Sequence, residues 1–152
     1  MSESVYLGNP NLKKANIAQE WTREEVEEYT KCMNDPLYFI QKYIKIVSLD
    51  EGLVPFNLYN FQKEMVGTFH ENRFTICKLP RQSGKSTTII AYLMYYVLFN
   101  PNVNVAILAN KAATARDLLG RLQLAYEHLP KWLQQGVMSW NKGSLELENG
   151  SK

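Results

Sequence analysis

The hydrophobic and polar positions in the first third of the chain follow the period of an α-helix. Residues 22–25 (Thr-Arg-Glu-Glu) have the spacing of a capping box, which predicts a helix that starts there and ends near Asn34. Asp35 and Pro36 suit the N-cap and the first position of a second helix, because the apolar residues behind them recur at helical spacing.

The neighbouring segments have weaker patterns. Residues 60–70 carry apolar side chains at helical spacing and are predicted to form a third short helix. Residues 48–58, which include Gly52 and Pro55, are predicted to be a loop. Residues 1–20 are polar, and we expect a mobile arm or a loosely docked lead-in there.

The second half of the chain alternates between short, β-prone apolar runs and longer runs of helical period. The predicted elements are a strand at 74–79, a helix at 86–99, a strand at 103–109, and a helix from Asn110 or Lys111 to about Leu129. This order is typical of a right-handed parallel crossover. The pattern therefore predicts an α/β fold in which helices flank a parallel sheet, preceded by a small helical subdomain.

The last residues follow the alternation of a β-hairpin. Strands are predicted at 137–140 and 145–147, and Asn149 with Gly150 is a strong signal for a further turn. Only two residues come after that turn, so no returning strand is available to it. This pattern predicts that the chain has been cut within a larger domain.

Composition narrows the class of protein without pointing to a function. The 152 residues suffice for one domain, and a hydrophobic content of 45% suits a packed core rather than disorder. The formal net charge of +2 predicts no strong overall attraction to nucleic acid. The two cysteines are widely spaced, which favours reduced thiols in a cytosolic protein.

The sequence has no pattern that directs it out of the cell or into a membrane. No basic segment followed by an apolar one begins the chain, so no signal peptide is expected. The most apolar run, at 89–99, is shorter than the roughly 20 residues that span a bilayer. We therefore expect a protein that is not secreted and has no transmembrane segment.

Candidate chemistry is concentrated in residues 79–87, which read LPRQSGKST. A loop between a strand and a helix is the context of a phosphate-binding P-loop, in which Gly84 permits a tight turn and backbone N–H groups surround the phosphate. Lys85 would place its charge on the β- and γ-phosphates, and the Ser86 hydroxyl would bind Mg²⁺. The first glycine of the common motif is missing, because Leu79 stands there. The competing interpretation is a chance Gly-Lys-Ser at a helix start.

This loop, with Arg81 and Gln82 in place of the usual small residues, resembles the Walker A segment of the large terminase subunit of tailed bacteriophages. The similarity extends over about the last two-thirds of the chain. It includes the runs LYNFQKEM at 58–65, VAILANKAATARDLLGRL at 105–122 and LPKWLQQGVMSWNKGSLELENGS at 129–151. The last of these runs is similar to the T-even type in particular.

The resemblance implies a domain organisation and a function. Residues 1–58 would be an arm and helical subdomain, and residues 59–152 a partial P-loop ATPase domain that ends before the Walker B acidic pair and lacks the family's nuclease domain. The complete protein would be an ATPase that drives DNA packaging in the host cell cytoplasm. Its cofactors would be ATP and Mg²⁺, and its partners double-stranded DNA, the portal protein and the small terminase subunit.

The resemblance also implies site residues. The nucleotide-binding positions are Gln62, Pro80, Arg81, Gln82, Ser83, Gly84, Lys85, Ser86 and Thr87. Gln62 would recognise the adenine edge through its amide, although an exposed helix glutamine is the alternative. Arg81 and Lys85 would be catalytic, with Arg81 acting as an arginine finger in cis. A purely phosphate-neutralising or structural role for Arg81 is equally open.

Two other functions remain open. A helicase-type P-loop ATPase also places a glutamine motif upstream of the loop, and a non-catalytic nucleotide-binding remnant of a terminase gene would lack the acidic pair. Asp50 and Glu51 follow a short apolar run, but they precede the P-loop and are predicted to be a solvated loop. Sequence downstream of Lys152 would distinguish a helicase from a terminase.

Overall fold

The computed structural model describes residues 4–48 and 50–152, and it combines α-helices with small antiparallel sheets. In chain order the described elements are β1 (Val5–Tyr6), β2 (Asn9–Lys13), α1 (Arg23–Asn34), α2 (Pro36–Tyr43), β3 (Lys45–Ser48), β4 (Gly52–Pro55), α3 (Asn60–Glu71), α4 (Lys85–Phe99), α5 (Ala112–Glu127), β5 (Val137–Trp140) and β6 (Leu145–Leu147). The mixed α and β content agrees with the sequence prediction.

The strands pair locally, as three antiparallel hairpins. These are β1 with β2, β3 with β4, and β5 with β6. In the β3–β4 hairpin, Lys45 lies opposite Pro55 and Ser48 opposite Gly52. The hairpin at 137–147 is thus confirmed. The loop predicted at 48–58 is wrong in part, because Ser48 ends β3 and β4 occupies residues 52–55.

The N-terminal segment is docked rather than mobile in the part that is described. Leu12 in β2 is only 2% exposed. The backbone N–H of Lys13 donates to Gln134 Oε1 at 3.1 Å, and that of Asn16 donates to Glu148 Oε2 at 2.9 Å. Residues 1–3, the start of the predicted arm, lie outside the described range.

The first two helices begin where their capping residues predict. The Thr22 hydroxyl accepts from the N–H of Glu25, and the Glu25 carboxylate accepts from the N–H of Thr22, which completes the capping box. Asp35 Oδ1 accepts from the N–H groups of Leu37 and Tyr38. Each cap satisfies backbone donors that have no partner inside the helix.

The core is built around α4, which packs against α2, α3 and α5. Its side chains Met94 and Tyr95 are 0% and 4% exposed. The Phe39 ring of α2 packs edge-on against Phe99 at 5.3 Å between centroids and lies 6.0 Å from Tyr95. Aromatic pairs of this kind add to the free energy gained by burying apolar surface.

A polar clasp joins α1 to α2. The Glu28 carboxylate accepts from the hydroxyls of Tyr38 and Tyr43 and from Lys42 Nζ. Burial by itself raises the pKa of Glu28, but these hydrogen bonds favour the charged form more strongly and lower it to about 2. Cys32, on the same helix, is fully buried, and burial raises its pKa to about 12, whereas Cys77 is exposed.

The parallel sheet expected at 74–79 and 103–109 is not formed among the described residues, and neither segment is a strand. Phe74 and Ile76 are 84% and 98% exposed. Three hydrogen bonds join the second segment to the chain end: Lys152 N donates to Val103 O, Val105 N donates to Lys152 O, and Val103 N donates to Ser151 Oγ. A strand needs neighbours to satisfy its backbone groups, so β propensity alone does not create a sheet.

The helices predicted at 22–34, 60–70 and 86–99 are present, as is the helix after residue 110. The second helix, whose apolar spacing extends to residue 47, is shorter than predicted, because α2 ends at Tyr43 and Lys45–Ser48 form β3. None of the helices in the described ranges, 4–48 and 50–152, has the length and apolar content to cross a membrane.

Candidate functional site

Residues 80–84 form a tight loop that leads directly into α4. Gln82 and Gly84 both have positive φ angles, of 60° and 75°. Gly84 is the N-cap of α4, in the left-handed conformation that glycine adopts without steric cost. Left-handed residues near others of ordinary conformation turn successive N–H groups towards one side, which is the arrangement of an anion-binding nest.

The first turn of α4 is fixed from inside the protein. The Gly84 carbonyl accepts from both the N–H and the hydroxyl of Thr88, each at 3.0 Å. Thr88 is fully buried, and the first turn of α4 contains no acidic residue. The positive end of the helix dipole therefore faces the loop without a carboxylate to neutralise it. Sequence reasoning missed Thr88, although a hydroxyl residue four positions after Gly84 could have been recognised.

The cationic side chains of the loop occupy two different positions. Lys85 Nζ donates to the Pro80 carbonyl at 3.0 Å, so its side chain folds back across the loop. Arg81 and Gln82 are exposed, whereas Ser86 and Thr87 are half-buried on the first turn of the helix. All of the loop positions predicted from the sequence are therefore contiguous in space around the start of α4.

Ser83 carries an unsatisfied buried group. Within the described part of the chain, its hydroxyl oxygen is buried and has no hydrogen-bond partner. Buried polar atoms in folded proteins are nearly always paired, so an orphan in a loop of this shape suits a place where a ligand supplies the partner. This unpaired hydroxyl could not be predicted from the sequence, because pairing depends on the folded surroundings.

Gln62 lies against the loop although it is distant in sequence. It is the third residue of α3 and is 2% exposed, and its Oε1 accepts from the backbone N–H of Tyr59 at 2.9 Å. A Cβ built on Gly84 would lie 2.6 Å from Gln62 Nε2. The structure therefore places the buried amide of Gln62 against the loop at 80–84.

Two aromatic rings flank Gln62 at the surface. Tyr59 and Phe61 stack at 6.0 Å between centroids with an interplanar angle of 10°. They are 69% and 38% exposed. Such rings offer a flat apolar face to a planar ligand.

Asp50 and Glu51 are exposed residues of the turn between β3 and β4. They do not follow a buried strand of a central sheet, which is where an acidic pair that binds Mg²⁺ would be needed. Among the residues that the structure describes, no group of three His, Cys, Asp or Glu side chains could hold a metal ion. The Ser86 hydroxyl is one of the oxygen atoms beside the loop.

The loop thus offers an anion three kinds of donor. These are backbone N–H groups turned by Gln82 and Gly84, the end of the α4 dipole, and the ammonium of Lys85. No model of a known protein family matches the chain.

Proposed function

We propose that the chain binds Mg-ATP at residues 80–87 and is the ATP-binding part of a viral DNA-packaging motor, the large terminase subunit. The observation that carries the proposal is the loop itself. It has left-handed residues at 82 and 84, ends on the free N-terminus of α4, and holds Lys85 across its opening. A polyphosphate is the common biological anion that matches such a site.

The residues of the loop fit the chemistry of Mg-ATP. Lys85 is bonded to the neutral Pro80 carbonyl, and phosphate oxygens would be stronger acceptors because the hydrogen bond would be between opposite charges. The Ser83 hydroxyl gains a partner when a ligand occupies the loop. Ser86 would hold Mg²⁺, which when bound neutralises charge on the phosphates.

The proposal extends to the fold. We propose that residues 74–79 and 103–109 are strands of a parallel sheet in the working P-loop core. Along 103–107, half-buried and exposed residues alternate, as they do on a strand with one covered face. The two hydrogen bonds that Lys152 makes on either side of Asn104 follow the pattern of neighbouring parallel strands.

In the complete motor, hydrolysis would drive translocation of double-stranded DNA, in association with the portal protein and the small terminase subunit. Arg81 is exposed and one residue from Gln82, at a position free to approach a γ-phosphate. A finger role predicts that Arg81→Lys in the complete motor lowers kcat sharply, within the ~10³–10⁵ range of such residues, with little change in ATP affinity. Near-normal turnover would leave Arg81 with charge neutralisation only.

The binding test uses the 152-residue chain and calorimetry with Mg-ATP. Lys85→Ala should raise Kd by roughly 10- to 100-fold, since it removes a charged hydrogen bond. Its circular dichroism should match the parent's, because Lys85 is a half-buried residue at the start of α4 and not part of the core. Lys142→Ala, in the exposed β5–β6 turn, is the matched control that removes the same charge elsewhere. Equal affinity in the parent and Lys85→Ala would refute the proposal.

A non-catalytic, nucleotide-binding remnant of a terminase gene, the alternative function, leads to a second expectation about ATP hydrolysis. No acidic pair that could hold Mg²⁺ has been found after the loop, so the 152-residue chain should release phosphate negligibly while binding nucleotide. Robust steady-state turnover would contradict this. If replacing Asp50 by Asn and Glu51 by Gln abolished that turnover, the β3–β4 turn would supply the acidic pair that binds Mg²⁺.

A further inference from the structure

We propose that Asn149 is a site of hydrolytic deamidation and that the fold controls this modification. The side-chain amide is locked while residues 149–151, which we call the capping turn, close the end of α4. Once the capping turn opens, the amide is converted to a carboxylate, which prevents the turn from closing again. This site lies at the opposite end of α4 from the proposed nucleotide site and does not depend on it.

The capping turn satisfies carbonyl groups at the end of α4 that have no partner inside the helix. Asn149 Nδ2 donates to Val97 O at 2.8 Å and to Leu98 O at 3.4 Å. The Ser151 hydroxyl donates to Asn100 O at 2.7 Å, and Ser151 is fully buried. The nitrogen side of the Asn149 amide therefore provides a hydrogen-bond donor that a carboxylate does not have.

Asn149 is followed by Gly150, and glycine after asparagine favours deamidation because it has no side chain to hinder its own backbone nitrogen. In the reaction this nitrogen loses its proton and bonds to Asn149 Cγ. The Cγ–Nδ2 bond breaks, and the side-chain nitrogen leaves with that proton as ammonia. Water then opens the cyclic imide at either carbonyl, which yields aspartate or an isoaspartyl linkage. Water is thus the one co-reactant of the modification.

The packing of the capping turn requires glycine at position 150. The φ angle of Gly150 is 82°, and a Cβ built on it would collide with Asn102 Oδ1. The N–H of Asn102 in turn donates to the Asn149 carbonyl at 3.0 Å. A larger residue at position 150, which would slow the reaction, is therefore excluded by the same contacts that close the turn.

In the folded chain the two reacting groups are held in other hydrogen bonds. Asn149 Oδ1 accepts from Ser151 N at 3.0 Å, and the Gly150 N–H donates to Leu147 O at 3.0 Å. Gly150 N can bond to Asn149 Cγ only after these hydrogen bonds and those to α4 break. The rate of deamidation therefore depends on how often the capping turn opens.

The product of the reaction keeps the capping turn open. An aspartate at position 149 cannot donate to Val97 O, and its charge would lie at the negative end of the α4 dipole, where a carboxylate is unfavourable. An isoaspartyl linkage also inserts a methylene group into the backbone of the turn. Deamidation thus releases residues 149–151 from α4 irreversibly.

The first experiment needs no variant. The 152-residue chain is incubated at neutral pH, either folded or unfolded in concentrated urea, and peptide mapping by mass spectrometry follows the conversion of Asn149 to aspartate and isoaspartate. We expect conversion in both samples, at least about tenfold more slowly in the folded chain, because the turn must first open. Equal rates, or a folded chain that is never converted, would overturn the inference.

The second experiment tests the effect of the product, with Asn149→Asp as the variant and Asn141→Asp as its matched control. Asn141 lies in the β5–β6 turn, where its Oδ1 accepts from the N–H groups of Gly143 and Ser144. A carboxylate oxygen accepts these hydrogen bonds equally well, so the same substitution should leave that turn closed.

Hydrogen exchange measured by NMR at two backbone amides reports on the capping turn. The N–H of Asn102 donates to Asn149 O, and that of Leu147 donates to Ser151 O. Exchange at both should be at least about tenfold faster in Asn149→Asp and unchanged in Asn141→Asp. Unchanged exchange in Asn149→Asp would overturn the inference. If Asn149→Asp does not fold, the rates measured on the parent chain still decide, because they depend on no substitution.

Discussion

Two regions of this molecule contain similar apolar side chains, which are buried in one region and exposed to solvent in the other. In the helical core, made of α1, α2 and α4, Phe39 and Met94 are 0% exposed. In the open strip, made of residues 73–81 and 103–111, Ile76 and Leu108 are 98% and 88% exposed. Residues 73–79 of the open strip precede the loop at 80–84, and α4 of the helical core follows that loop.

The difference follows from how each kind of backbone satisfies its polar groups. A helix pairs its N–H and C=O groups internally, so a helix needs only an apolar stripe to join a core. A strand must first find a neighbouring strand, and an unpaired one leaves both its backbone and one face open. Sequence hydrophobicity therefore predicts burial more safely in helices than in isolated strands.

The largest effect should come from truncating one side chain in each region. Phe39→Ala removes a fully buried ring that packs against Tyr95 and Phe99, and should lower the free energy of unfolding by roughly 3–5 kcal/mol. Ile76→Ser should change it by less than about 0.5 kcal/mol, because that side chain is almost wholly in solvent. Urea denaturation followed by circular dichroism measures both.

A large loss of unfolding free energy in Ile76→Ser would contradict the difference in burial between the two regions. It would show that the open strip is covered in solution, for example by pairing between copies of the chain. Sedimentation of the parent protein at several concentrations would then reveal the covering partner.

The clasp between α1 and α2 should make the helical core sensitive to acid. The pKa of Glu28 is lowered to about 2 in the folded chain, from an ordinary value of 4.5. Its contribution is therefore fully present above about pH 4.5 and is lost as the pH falls towards 2. Glu28→Gln should cost about 2 kcal/mol at pH 7, allowing for the partial exposure of Lys42, and should flatten the pH dependence between 4.5 and 2. Parallel stability curves for the parent and the variant would contradict this.

A smaller effect compares a glycine of the loop with a glycine inside a helix. Gly84→Ala places a Cβ at a φ of 75° and against Gln62, and should destabilise by about 1–2 kcal/mol and weaken nucleotide binding. Gly67→Ala, inside α3 with open space around its Cβ position, should stabilise by about 0.5–1 kcal/mol. Thermal melts of the two variants should therefore shift in opposite directions. A shift of the same sign in both would show that the loop is not held in the left-handed turn.

The parts of the fold that could be predicted are those decided by neighbours in sequence. The capping residues Thr22 and Asp35 fixed two helix starts, and the Gly84-Lys85 step fixed a third. The β3–β4 hairpin was missed because Lys45 and Ser48 interrupt its apolar pattern, and because its pairing depends on contacts across the turn.

In the candidate site, too, the features decided by neighbours in sequence could be predicted. The order of loop residues and the position of Lys85 at the start of α4 followed from the motif. The approach of Gln62 to Gly84 and the buried Ser83 hydroxyl did not, because both depend on how α3 packs beside the loop. The parallel strands were predicted from short apolar, β-prone runs, and such runs do not provide the hydrogen-bonding partner that a strand requires.

The two cysteines differ in exposure, so a spectroscopic probe can be attached to one of them selectively. Thiol reagents react with the thiolate, so the buried Cys32, with a pKa raised to about 12, should stay unmodified at neutral pH. Cys77 is exposed, and it lies just before the loop. A maleimide fluorophore should therefore attach at one position of the unmodified sequence, where its emission can report on what enters the loop.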